Sequence, residues 1–78
     1  MGHFTICLLV NNKAELREAI EKEEEAGYTL TRILRRINLE RTPRHLVERT
    51  LEETGAEDTV EEILTGNKKW LVIADFHK

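Results

Sequence analysis

The sequence predicts a single small α/β domain, residues 1–78, in the order β-α-β-α-α-β around a short, mainly parallel sheet. Three observations lead there. The stretches near both ends of the chain are strand-length and apolar on both faces, as in strands covered on each side. Helix start and stop signals separate the strand-like stretches, and parallel strands require such crossovers. The length suits one domain, close to the lower limit at which a hydrophobic core alone holds a fold.

Phe4–Val10 is the first predicted strand, with Phe4, Ile6, Leu8 and Val10 on one face and Thr5, Cys7 and Leu9 on the other. Asn12 then reads as a helix N-cap, with Glu15 three residues on completing a capping box. That helix turns Leu16, Ala19, Ile20 and Ala26 inward, pairs Glu18 with Lys22, and stops at Gly27. Residues 28–37 (YTLTRILRRI) fit two periods. As a helix they align Leu30, Ile33, Leu34 and Ile37, but the preceding glycine stop and the β-favouring Tyr28, Thr29, Thr31 and Ile33 favour a strand. The rival order makes 29–39 helical and leaves an α+β domain with its two terminal strands paired.

Thr42-Pro43 reads as an N-cap followed by a first-turn proline. Its helix turns Leu46, Val47 and Leu51 inward and stops at Gly55. Asp58 with Glu61 suggests another capping box, opening a short helix with Val60, Ile63 and Leu64 inward and Gly66 after it. Trp70–Phe76 (WLVIADF) closes the chain as a nearly continuous apolar strand. There is no repeat, low-complexity tract or linker.

Composition narrows the function classes. The chain is 40% apolar and 35% charged, with net charge −3, which is a folded rather than a disordered composition. It contains no serine, so serine nucleophiles are excluded, and no glutamine. Abundant ion-pairing residues with few thermolabile amides fit a heat-adapted source. One cysteine rules out an internal disulfide and points to a reducing, cytoplasmic setting. No apolar run reaches the ~18 residues of a membrane span, and no export signal is expected. His3 is assigned no role.

No motif commits a residue to catalysis, and no cofactor or metal is implied. The phosphate-binding glycine loops are absent, and the glycines sit where caps explain them. Cys7, mid-strand, reads as a small buried hydrophobe. Asp75 with His77, or His45 with Glu48, supplies two potential ligands where a closed metal site needs at least three. In an open parallel sheet, ligands bind beyond the carboxyl ends of the strands. That rule would gather Asn11, Asn12, Asn38, Asp75 and His77 at one rim as a polar ligand site.

Charge is blocked along the chain. Between Thr31 and Thr50, Arg32, Arg35, Arg36, Arg41, Arg44 and Arg49 face only Glu40 and Glu48, while 11–27 and 51–66 are acidic. These arginines either pair with glutamates of this chain or a second copy, as the Arg44–Glu48 and Arg49–Glu53 spacings allow, or contact phosphates of a nucleic acid. The residues resemble no known family specifically. The expected function is therefore a non-catalytic binding or regulatory module acting through protein–protein contact, self-associating as a homodimer. Nucleic-acid binding through the arginine segment is the first alternative, and a small ligand or enzyme site at the strand ends is the second.

Overall fold

A computed structural model describes residues 2–78 and shows three strands and three helices in the predicted order. They are β1 (His3–Val10), α1 (Lys13–Glu25), β2 (Thr29–Asn38), α2 (Arg44–Thr54), α3 (Val60–Thr65) and β3 (Trp70–His77). The segment with two possible periods is a strand, so the rival with 29–39 helical is set aside.

The sheet corrects the expectation of parallel strands. Its order is β1-β3-β2, and β3 runs antiparallel to both neighbours. The parity of helices explains this. One helix, α1, carries the chain back to its starting rim, so β1 and β2 share a direction. Two helices, α2 and α3, form an out-and-back excursion that begins and ends at the same rim. There the Leu39 amide donates to the Lys69 carbonyl at 2.8 Å, and Asn38 lies opposite Trp70. β3 therefore re-enters in reverse and occupies the gap between β1 and β2.

Helices cover both faces. On one face α1 places Leu16, Ala19 and Ile20 against Leu8, Val10, Val72, Ala74 and Phe76. On the other, Val47 and Leu51 of α2 and Val60 and Ile63 of α3 pack on Ile37, Leu71 and Ile73. Alternation along β3 makes this division, because neighbouring side chains point to opposite faces. Leu46 and Leu64, expected inward, are each 37% exposed. The i, i+4 pair Val47 and Leu51 carries the contact of α2 with its narrow sheet.

The helix starts differ from expectation in detail. Asn12 caps α1 through its side chain, but Glu15 closes back on the Asn11 amide rather than on that of Asn12. Thr42 is not a cap. Its amide and that of Arg41 both donate to the Asn38 carbonyl, which wraps Thr42 into the turn and leaves Pro43 as the N-cap. The second capping box is formed by Thr59 with Glu62, one residue later than Asp58 with Glu61. That offset directs Val60 and Ile63 into the core. Gly27 (φ 95°) and Gly55 (φ 75°) supply the left-handed turns that end α1 and α2.

β2 departs most from regular geometry. Its register against β3 shifts between Leu30 and Arg32 and again between Ile33 and Arg35, so Thr31 and Leu34 are extra residues. Leu30 and Ile33 consequently pack on the α1 face, while Leu34 and Ile37 pack on the α2–α3 face. The bulges convert a strand's spacing of two into a spacing of three on each face. This is why the segment also fits a helical period.

Among the described residues, no helix is long and apolar enough to cross a membrane. Leu71 is fully buried in the central strand. Leu71→Ala is expected to destabilise the fold by about 2–5 kcal/mol, a large part of a small domain's stability, in urea unfolding with little change in slope.

Candidate functional site

The sheet has two free edges, and they differ in kind. The first edge is β1. The Lys78 amide donates to the Gly2 carbonyl at 3.1 Å, and the β1–β3 register is unbroken from His3↔His77 to Val10↔Trp70. In an antiparallel ladder both backbone groups of a residue face the same neighbour, alternating along the strand. Even-numbered residues of β1 therefore bond β3, and His3, Thr5, Cys7 and Leu9 turn their N–H and C=O groups to the open side. Among the described residues, no hydrogen bond takes up these outward backbone groups. Phe4–Val10 has no charged residue and no proline, and its register shows no bulge. Those are the devices that ordinarily block strand addition.

The second edge, β2, carries such devices. Arg32, Arg35 and Arg36 lie on it, together with both register shifts. Of the six arginines of the basic segment, Arg32 pairs with Asp75 and Arg44 with Glu61. Arg35 donates to the Leu34 carbonyl. Among the described residues, Arg35, Arg36, Arg41 and Arg49 form no ion pair, so the expected Arg44–Glu48 and Arg49–Glu53 helix pairs are absent. The Glu18–Lys22 pair is absent likewise.

A polar cluster lies on the α2–α3 face near the chain ends. Asp75 is 4% exposed in the central strand, between its register partners Thr5 and Arg32. The Thr5 hydroxyl donates to Asp75 Oδ1 at 3.0 Å, while Arg32 Nε and His3 Nε2 each lie 3.4 Å from Oδ2. Burial pushes the Asp75 carboxyl up, but the bonds from Thr5, His3 and Arg32 outweigh it and hold the group below its ordinary value. Arg35 and Glu53 complete the walls of an open hollow of about 280 Å³. His3, Thr5 and Glu53 were not read as site residues from the sequence. Strand register brings His3 and Thr5 to Asp75, and the packing of α2 on the sheet brings Glu53 to the same hollow.

The rim proposed from sequence divides in two. Because β3 is antiparallel, Asn11, Asn12 and Asn38 lie near its Trp70 end, and Asp75 and His77 lie at its other end. Five residues of strand, about 16 Å, separate the groups, so the five side chains do not converge. Each asparagine is committed to a backbone amide, Asn12 and Asn38 locally and Asn11 across the chain. Asn11 accepts from the Lys69 amide, Asn12 from the Glu15 amide and Asn38 from the Glu40 amide. His77 Nδ1 lies 2.9 Å from the hydroxyl of Thr31, the first bulged residue.

No family model, curated protein or solved structure matches the chain.

Cys7 is half-buried, and burial, followed by the charge and hydrogen bonding of Asp58, pushes its thiol up to about 12. The neutral thiol is thus favoured by the fold, which is the opposite of an activated nucleophile. Unfolding frees the thiol to ionise near its ordinary 9.0, so its contribution is intact below pH 9 and is lost as pH rises toward 12. Thermal unfolding of the wild type should therefore weaken above pH 9 more steeply than that of Cys7→Val. Parallel pH profiles would contradict this.

Proposed function

We propose that the chain is a non-catalytic binding module that acts through protein–protein contact and self-associates. The observation that supports this is the asymmetry of its sheet edges. β2 is guarded by charge and bulges, whereas β1 offers an unguarded row of hydrogen-bonding groups. A domain of this size gains from a second copy, because its own core is small. The hollows favour a binding role over catalysis. The Asp75 hollow, walled largely by charged side chains, and a second hollow beside Glu48, Glu52 and Asp58, half of whose lining residues are acidic, are each about 280 Å³ and open. Small-molecule sites are typically larger, more enclosed and more apolar. Light scattering over a concentration series should show a dimer at tens of micromolar, and a monomer at several hundred micromolar would overturn the proposal.

A second reading rests on Arg35, Arg36, Arg41 and Arg49, which have no acidic partner among the described residues. Arg35 and Arg36 lie on the β2 edge, Arg41 in the turn after it and Arg49 in α2, and unpaired guanidinium groups suit phosphates. This reading expects mixed RNA or DNA to be retarded at low ionic strength, with binding falling steeply as salt rises. Arg35→Ala with Arg36→Ala should abolish most of it. No binding at low salt would remove the reading.

A further inference from the structure

The geometry points to a two-fold dimer in which β1 pairs antiparallel with the β1 of a second copy, Ile6 opposite the partner's Ile6, making one continuous six-stranded sheet. This deepens the self-associating reading above and rests on it.

Charge selects the edge. Antiparallel self-pairing sets a strand against its own reversed sequence, so a strand without charges meets no like charge. β1 is such a strand from Phe4 to Val10. Self-pairing of β2 would crowd Arg32, Arg35 and Arg36 beside the same three arginines of the second copy, and like charges are unfavourable wherever two stand opposed. Pairing β1 with the partner's β2 would be heterologous and would leave further edges open, whereas β1 with β1 closes on itself.

Hydrogen bonding selects the register. Outward-turned residues must oppose outward-turned residues, so the two-fold axis passes through a residue position rather than between two. With the axis at Ile6, His3 opposes Leu9 and Thr5 opposes Cys7 of the partner. All four outward residues of each copy are then used, in roughly eight backbone bonds. An axis at Thr5 leaves Leu9 without a strand partner. An axis at Cys7 would require Asn11 opposite His3, but the Asn11 amide is already committed to Glu15 Oε1 at 3.0 Å. Either alternative reaches only roughly six bonds.

The side chains fit the same register. Ile6 is half-buried and meets its copy in a non-hydrogen-bonded pair, where side chains approach most closely. Phe4, which is 39% exposed and stacked edge-on against Tyr28 at 5.2 Å, comes opposite the partner's Leu8. All of these lie on the α1 face. The guarded β2 edges then form the two outer margins of the six-stranded sheet, and the assembly stops at two copies.

Disulfide trapping tests the register. In a Cys7→Ala background, Ile6→Cys places two thiols on the axis, with Cα atoms about 4.5 Å apart and within disulfide range. Phe4→Cys in the same background leaves its two thiols four residues out of register, about 13 Å apart. Mild oxidation by oxygen with a copper catalyst should convert most of the Ile6→Cys protein to a covalent dimer and leave Phe4→Cys at background. Amide hydrogen exchange on the wild type gives a second measurement that needs no substitution. The Thr5, Cys7 and Leu9 amides should exchange at least about tenfold more slowly at dimer-forming concentration than on dilution. A dimer seen by light scattering without Ile6 cross-linking, and without protection at those amides, would overturn this register while leaving self-association standing. A monomer at every concentration would overturn both.

Discussion

The structure depends on the burial of β3 from four directions. Leu71, Val72, Ile73, Ala74 and Phe76 are each 2% exposed or less, with a strand on either side and a helical layer on either face. The four larger of these, Leu71, Val72, Ile73 and Phe76, contribute about 1.5–3 kcal/mol each when fully buried, so this strand holds a large share of the favourable energy of the fold. Everything else is arranged around it. α1 serves the residues on one side of its pleat, and α2 and α3 serve those on the other.

The same strand contains the one buried charged residue among those described, and that residue specifies register. Asp75 meets Thr5 from β1 and Arg32 from β2, its neighbours across each ladder. A slip of one residue would flip the whole strand and turn the carboxylate to the α1 face, among apolar side chains such as Leu16, Ile20, Leu30 and Ile33 and away from Thr5 and Arg32. An apolar strand lacks such a marker, because many registers bury comparable area. The first bulge of β2 begins where Arg32 reaches Asp75, and the Thr31 hydroxyl it displaces lies beside His77.

A central strand so fully enclosed leaves its two neighbours as edges, and their chemistry divides them. β2 spends its exposed positions on arginines and bulges, which discourage another strand. β1, with Leu8 and Val10 on one face and Cys7 and Leu9 on the other packed into the two core layers, carries no charge from Phe4 to Val10 and leaves its outer backbone groups open. Its apolar character on both faces therefore reflects the covering layers and not a central place in the sheet. The charge of the arginine segment follows from the same division. Two of its guanidinium groups are bound within the domain at Asp75 and Glu61, and Arg35 and Arg36 lie on the guarded edge strand.

Local chemistry was legible in the sequence wherever neighbouring residues decide the outcome. The Asn12 cap, the glycine stops at Gly27 and Gly55, and the apolar runs at both ends placed every element to within a residue or two. Two features lay beyond it. Strand direction depends on how the two helices between β2 and β3 fold against one another, and here they return the chain to the rim it left, so β3 runs antiparallel. Register depends on pairing across the sheet, so the hydroxyl, guanidinium and imidazole around Asp75, remote in the chain, meet only once β3 is inserted between β1 and β2. Capping and periodicity act over a few residues and can be read along the chain. Direction, register and the identity of a free edge are properties of distant segments in contact, and only the tertiary structure decides them.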